Sequence, residues 1–144
     1  MIDSFRGDFG FLSNFHEASI WIDGKQYPSV EHAYQAFKFG KDGEAHEMVR
    51  TCDKPAKAKK LGKAASLPAD WDTTKVDLMR RLVREKFKNP LLRAMLVATD
   101  NARLVEGNWW NDKFWGICRG QGQNWLGRIL MEVRDECKKE EIQG

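Results

Sequence analysis

The chain is poor in cysteine. Cys52, Cys118 and Cys137 are its only three, and no two stand at a C-x-x-C spacing. An odd number without that spacing argues against a disulfide framework and against a zinc site, and reads as reduced thiols. His16, His32 and His46 show no H-x-x-x-H pattern and no accompanying carboxylate signature, so no metal is expected. Ser13 lacks a G-x-S-x-G context, which removes the usual argument for a serine nucleophile. No apolar run approaches the roughly 20 residues of a membrane helix. A basic start followed by an apolar stretch, the mark of a signal peptide, is also missing. These absences point to a cytoplasmic protein with no membrane partner and no cofactor. There is no internal repeat, low-complexity segment or linker. The formal charge of +3 is too small to define a nucleic-acid binder, although it suits a protein that meets phosphates.

What is present is an ordinary globular composition. The 144 residues are 42% hydrophobic and 31% charged, enough for one domain spanning 1–144 with a real core, its last residues from Lys138 onward frayed. Six tryptophans are unusual for this length, and Trp109, Trp110, Trp115 and Trp125 fall close together. Asp23-Gly24 between Ile20-Trp21-Ile22 and Lys25-Gln26-Tyr27 predicts a β-hairpin. Ser29 is a natural N-cap for a helix with Val30, Ala33, Tyr34 and Phe37 on one face. A short helix is expected over Glu44–Arg50. Asp53 is expected to cap the next, with Pro55 in its first turn and Leu61 facing inward. Asp72 or Thr73 should open a longer helix carrying Val76, Met79, Val83 and Phe87. Asn89-Pro90 should start another over Leu91–Val97. Arg103–Glu106 reads as a short strand and Gly107–Gln123 as a structured loop. Asn124 should cap a last helix with Leu126, Leu130, Val133 and Cys137 on its apolar stripe. The sum is an α+β, predominantly helical single domain with a small antiparallel sheet.

Three segments could carry chemistry. Glu31, Gln35 and Lys38 form a polar stripe, with Glu31 in the first turn of its helix, where the dipole and open N–H groups favour an anion. A plain solvated face is the alternative. Glu106 to Gly116 packs two carboxylates, amides and three tryptophans into a few positions. Indole faces stack on flat bases and cover sugars, and Asn and Asp side chains can hold ribose hydroxyls. A tryptophan-rich core corner is the alternative. Gly120-Gln121-Gly122 running into a helix could bring backbone N–H groups to a phosphate, although Trp125 stands where a third glycine of a G-x-G-x-x-G would be. Lys54, Lys57, Lys59, Lys60 and Lys63 point in several directions along their helix and read as solvated. Carboxylates, a stacking surface and an anion cradle, without metal, thiol or serine machinery, suit hydrolysis of a bond to a sugar C1′. One carboxylate balances the oxocarbenium-like charge and an acid protonates the leaving base.

The same segments resemble the NADAR (YbiA-like) superfamily. Phe11-Leu12-Ser13-Asn14-Phe15 is similar to its F-L-S-N-F motif, and Tyr27 to Lys38 to its Y-P-S-V-E-H-A-Y-Q-A-x-K signature. Ala56 to Gly62, Asp70-Trp71-Asp72, Lys75 and Met79 follow in family order. Leu104 to Asn108, Asp112 with Phe114-Trp115-Gly116, and Gly122 to Gly127 match the closing motifs. The resemblance implies a mostly helical α+β fold and an N-glycosidase acting on a phosphorylated ribosyl or ADP-ribosyl base. It implies Glu31 as the essential carboxylate, and Asn14, Trp71, Glu106, Asn108, Trp109, Asp112 and Trp115 as pocket residues. We expect Asp112 to act as partner of Glu31 or as a ribose anchor, and Lys38 with Gly120 and Gly122 to hold phosphate. The Glu106-Gly107-Asn108-Trp109 run tilts the expected substrate from a ribosylamino-pyrimidine phosphate of riboflavin synthesis toward ADP-ribosylated guanine in DNA. A non-catalytic module for ADP-ribose or NAD, and a DNA-binding protein using the lysine-rich segment, are the rivals. The oligomeric state is left open.

Overall fold

The structure, a computed structural model, describes residues 1–143, which form two compact units: Asn14–Lys86, and Met1–Ser13 with Phe87 to residue 143. Residue 144, the end of the segment expected to fray, lies outside the described residues.

The unit Asn14–Lys86 opens with an antiparallel hairpin, β1 (Ile20–Ile22) and β2 (Lys25–Tyr27), in the register Ile20↔Tyr27, Trp21↔Gln26 and Ile22↔Lys25. Asp23 and Gly24 both have positive φ, at 51° and 82°, which suits the tight turn that this pair favours. Ile20, Ile22 and Tyr27 are buried while Trp21 faces out, the two-residue alternation of a half-buried strand. Four helices follow: α1 (Val30–Phe37), α2 (Glu44–Arg50), α3 (Pro55–Gly62) and α4 (Trp71–Lys86). Helix α1 packs against the other three. Every residue from Val30 to Ala36 is therefore buried, and the solvated-face alternative for the Glu31 stripe does not hold.

Local chemistry fixes the ends of these helices. Ser29 caps α1, its Oγ accepting the N–H of His32. The same Oγ donates to His32 Nδ1 at 2.7 Å, while His32 Nε2 donates to the carbonyl of Cys52 at 3.0 Å. Burial keeps this imidazole's pKa below the ordinary histidine value, which agrees with a neutral ring. Tyr27 donates its hydroxyl to His46 Nε2, and His46 Nδ1 donates to the carbonyl of Gly40. Burial pushes the Tyr27 phenol up to about 12. Two boundaries differ from expectation. Lys54, with extended backbone and no side-chain cap, precedes α3 instead of Asp53. Helix α4 starts at Trp71, because the Asp70 carbonyl already accepts the N–H groups and hydroxyls of Thr73 and Thr74. In α3 the inward residues are Ala58 and Gly62, with Leu61 half-buried.

The other unit contains a 3-10 segment (Gly7–Leu12), α5 (Pro90–Ala98), β3 (Gly107–Asn108), β4 (Ile117–Cys118) and α6 (Trp125–Gln143). Asn89 caps α5 as expected, with its Oδ1 accepting the N–H groups of Leu91 and Leu92. Helices α5 and α6 pack together, and Leu126, Leu130, Val133 and Cys137 are buried along α6. The predicted Arg103–Glu106 strand reduces to one parallel bridge, Ile2↔Leu104, held by Ile2 N–H to the Arg103 carbonyl and Val105 N–H to the Ile2 carbonyl. The expected loop over residues 107–123 contains a short parallel pair, Gly107↔Ile117 and Asn108↔Cys118. Helix α6 continues through Gln143, so the described part of the segment from Lys138 is helical. Asn124 precedes α6 in a left-handed conformation (φ 55°), but its side chain does not cap the helix. Its Oδ1 accepts the Glu106 N–H at 2.9 Å and its Nδ2 donates to the Leu104 carbonyl at 3.0 Å. The amide thus pins the strand-like segment that leads to Glu106.

Candidate functional site

The expected site residues divide between the two units. Asn14, Glu31, Lys38 and Trp71 belong to the first, and Glu106, Asn108, Trp109, Asp112, Trp115, Gly120 and Gly122 to the second.

Glu31 is 7% exposed and occupies the first turn of α1. Its N–H donates to the carbonyl of Asn14 at 3.0 Å, so the F-L-S-N-F segment reaches the start of this helix through backbone. The Asn14 side chain instead lies 3.6 Å from Met79 Sδ. Gln35, one turn on and 4% exposed, donates its amide Nε2 to Glu31 Oε1 at 2.8 Å. Since a carboxylate only accepts, this bond fixes which end of the amide faces Glu31. Gln35 Oε1 then lies buried without a hydrogen-bond partner. It rests on Gly62 of α3, where a Cβ would fall 1.8 Å from it. Glycine is therefore the only residue that admits the Gln35 amide in this pose. Next to this pair, the rings of Tyr34 and Trp71 meet at 5.3 Å, and the Lys38 ammonium stands 5.2 Å from the Tyr34 ring centroid. Burial lowers the pKa of Lys38, Glu31 raises it, and Lys75 and Lys59 lower it further.

Sequence reasoning passed over Lys86, which is 2% exposed. Its position is visible in the spacing: it follows Met79, Leu82 and Val83 on the inward stripe of α4, where a lysine interrupts apolar residues. Burial pushes its ammonium down to about 7. The neighbouring His16 has its pKa lowered by burial and by this lysine.

In the second unit, the carboxylates and amides build one loop. Asn108 Nδ2 donates to Glu106 Oε2 at 3.0 Å and to the Asp112 carbonyl at 2.8 Å, while its Oδ1 accepts the Asp112 N–H at 3.0 Å. Asp112 Oδ1 accepts the N–H groups of Phe114 at 3.1 Å and Trp115 at 2.9 Å. Glu106 lies over Gly116, where a Cβ would sit 1.8 Å from its Oε2. Trp109 is 65% exposed, with the Arg6 guanidinium 3.8 Å from its ring centroid and the Trp110 ring meeting it edge to face at 4.9 Å. Trp115 meets Phe114 in the same way at 4.8 Å.

The Gly120–Gly122 segment, expected to hold phosphate, begins in a tight turn. Arg119 and Gly120 form a two-residue turn with positive φ at both, closed by Cys118 and Gln121 hydrogen bonding in both directions. The N–H groups leading into α6 are taken by backbone carbonyls: Gln123 by Lys113, Asn124 by Gly116, Trp125 by Phe114 and Leu126 by Trp115. Gly122 packs so closely on Gly116 that a Cβ there would be 2.2 Å from its carbonyl oxygen. Among the described residues no group of three or more His, Cys, Asp or Glu side chains could hold a metal ion, and no helix is long and apolar enough to cross a membrane.

Comparison with known proteins identifies the family. The family model described as NADAR domain matches residues 4–138. N-glycosidase YbiA of Escherichia coli (strain K12) is 41% identical over 133 residues, covering 90% of this chain and 82% of that protein. Riboflavin biosynthesis protein VVA0006 of Vibrio vulnificus (strain YJ016) is 42% identical over 134 residues, covering 90% of this chain but 36% of that longer protein. The NMR structure of the E. coli protein YbiA matches with a TM-score of 0.87 at 36% identity, covering 100% of this chain and 89% of the other. The chain belongs to the NADAR family.

Two tests follow from the geometry. Replacing Gly62 by Ala should lower stability by about 1–3 kcal/mol in urea unfolding, because the new methyl displaces a buried amide. Adding Gln35→Ala to Gly62→Ala should then cost less than the two single changes summed. For Lys86, the unfolded chain binds a proton that the folded chain releases between its folded pKa of about 7 and the ordinary 10.5. Stability contributed by this group is therefore least below pH 7 and rises with pH through that window. Urea titrations of wild type and Lys86→Met at pH 6.5, 8 and 9.5 should show wild type gaining on the variant as pH rises.

Proposed function

We propose that this chain hydrolyses the C1′–N bond of a small phosphorylated ribosyl compound, with Glu31 as the carboxylate that balances the positive charge on the sugar. As a class the protein is an N-glycosidase, a hydrolase acting on N-glycosyl bonds, in line with its NADAR relatives. The observation that carries the reading is a carboxylate 7% exposed, seated in the first turn of a buried helix and oriented by a neutral amide. A fixed negative charge withdrawn from water is worth most against a charge that develops only in the transition state. In that step the C1′–N bond breaks with its electron pair leaving on the base, which takes up a proton. Water supplies oxygen to C1′ and gives up a proton. Tyr34 and Trp71 line the carboxylate's own unit with aromatic surface, and Lys38 offers a cation for the substrate's phosphate.

For Glu106, Asn108, Trp109, Asp112 and Trp115 a substrate role is supported by the family resemblance. Their geometry supports a further task for Asn108 and Asp112, which hold the backbone of the tryptophan loop. That favours Glu31 over Asp112 as the carboxylate facing the sugar. The Vibrio relative is named a riboflavin biosynthesis protein, and we take a ribosylamino-pyrimidine phosphate of that synthesis as the substrate. The Glu106–Trp109 run is what supports ADP-ribosylated guanine in DNA, and we give the former more weight.

Glu31→Gln keeps the shape and still accepts the hydrogen bond from Gln35, so folding should be unchanged. Turnover should fall by roughly 10³-fold or more. The check is a side-by-side assay on a ribosylamino-pyrimidine phosphate and on ADP-ribosylated guanine DNA, with released base identified by mass. Near-normal turnover by Glu31→Gln would remove the mechanism. Release of guanine alone would reverse the substrate order.

A further inference from the structure

We propose that the outward face of α3, built on Lys57, Lys60 and Lys63, is a docking surface for the phosphate backbone of a nucleic-acid duplex. The proposal stands apart from the glycosidase reading, since it concerns the side of α3 opposite the one where Gly62 seats the Gln35 amide.

The segment from Lys54 to Ala69 contains five lysines and no Asp or Glu, a formal charge larger than the +3 of the whole chain. The rest of the chain is therefore net acidic, and positive charge is concentrated here. Burial sorts these residues: Ala58 and Gly62 are buried, Lys59 and Leu61 are half-buried, and Lys57, Lys60 and Lys63 are exposed. At 3.6 residues per turn, Lys57 and Lys63 fall about 60° to either side of Lys60, while Ala58 and Gly62 fall about 160° away from it. Lys63 keeps helical backbone (φ −64°, ψ −23°) and so continues the same spiral. Lysines that scatter around the helix in sequence thus resolve into one face opposite the core. Among the described residues, no carboxylate lies within ion-pair distance of Lys57, Lys60 or Lys63. Asp53 stands before the segment, and Glu44 and Glu47 lie on α2, which packs on α3; Glu47 is held by Lys25 and Arg50. The three lysines span about 9 Å of helix axis, over which a duplex carries roughly five phosphates at one per ~1.7 Å. Lysine meets phosphate as a point charge, which suits a backbone contacted at any sequence. The other exposed residues between Pro55 and Ala64 are Ala56 and Ala64 itself. Such small side chains let a backbone approach closely, and this face carries no large apolar side chain to enter a lipid surface.

The test is fluorescence anisotropy with a labelled, mixed-sequence DNA duplex of about 20 base pairs, titrated at salt from about 50 to 200 mM. Wild type should bind, with log affinity falling against log salt at a slope of about −3, close to one for each lysine engaged. Lys57→Gln with Lys60→Gln and Lys63→Gln should weaken binding at the lowest salt by about tenfold or more and flatten the slope by about two to three. These side chains are exposed, so the triple variant should unfold in urea as wild type does. Arginine at the same three positions should retain binding. Arg103→Gln with Arg119→Gln and Lys139→Gln, an equal charge change at exposed residues of the other unit, should also retain it. No duplex binding by wild type, equal affinity in wild type and the α3 variant, or as large a loss in the charge control overturns the proposal. Binding as tight to phosphatidylserine-containing vesicles, or to polyglutamate, overturns it as well, by assigning the face to a membrane or to any polyanion.

Discussion

The hydrogen bond from the Gln35 amide to the Glu31 carboxylate is the constraint on which the proposed chemistry depends. A carboxylate withdrawn from water is unfavourable unless its lone pairs find donors and its charge finds a compensating field. Helix α1 supplies both, a first turn whose dipole favours an anion and an amide one turn on. Packing supplies the rest. The Asn14 carbonyl takes the Glu31 N–H, Ser29 caps the turn, and Gly62 leaves room for the amide oxygen. This chain of contacts ties together motifs that lie far apart in the sequence.

A similar logic builds the tryptophan loop of the other unit, where polar groups organise backbone first and present rings second. Asn108 bridges Glu106 and Asp112, Asp112 binds the N–H groups of Phe114 and Trp115, and Gly116 makes space for Glu106. The backbone carbonyls of Phe114 and Trp115 in turn receive the first N–H groups of α6. Asn124, in a left-handed conformation, fastens the segment before Glu106 through both ends of its amide. Polar residues that look like a binding site in sequence thus serve the architecture of the loop as well.

Much of the fold was legible because local rules and tertiary packing agreed. Asp23-Gly24, Ser29 and Asn89-Pro90 mark turns and helix starts by chemistry that acts within a few residues, and the structure follows them. The misreadings came where backbone partners distant in sequence decided the outcome. Asn124 reads as a cap from its neighbours, yet its amide is drawn to residues 104 and 106. The tight turn at Arg119-Gly120 and the close approach of Gly122 to Gly116 likewise depend on partners that local sequence does not announce. The Glu31 stripe left open a solvated face because spacing alone cannot reveal that α1 is covered by three other helices. Lys86 was readable in principle, as a charged residue at an inward position of an apolar stripe.

The central claim is that the Glu31 charge answers a cationic sugar. Its most direct test compares binding of a phosphorylated iminosugar, which carries a positive charge at the position of the sugar cation, with binding of its uncharged carbocyclic counterpart. The account predicts that wild type prefers the cationic compound by a wide margin and that Glu31→Gln loses this preference while still binding both. An equal preference for the cationic compound in wild type and variant would contradict it.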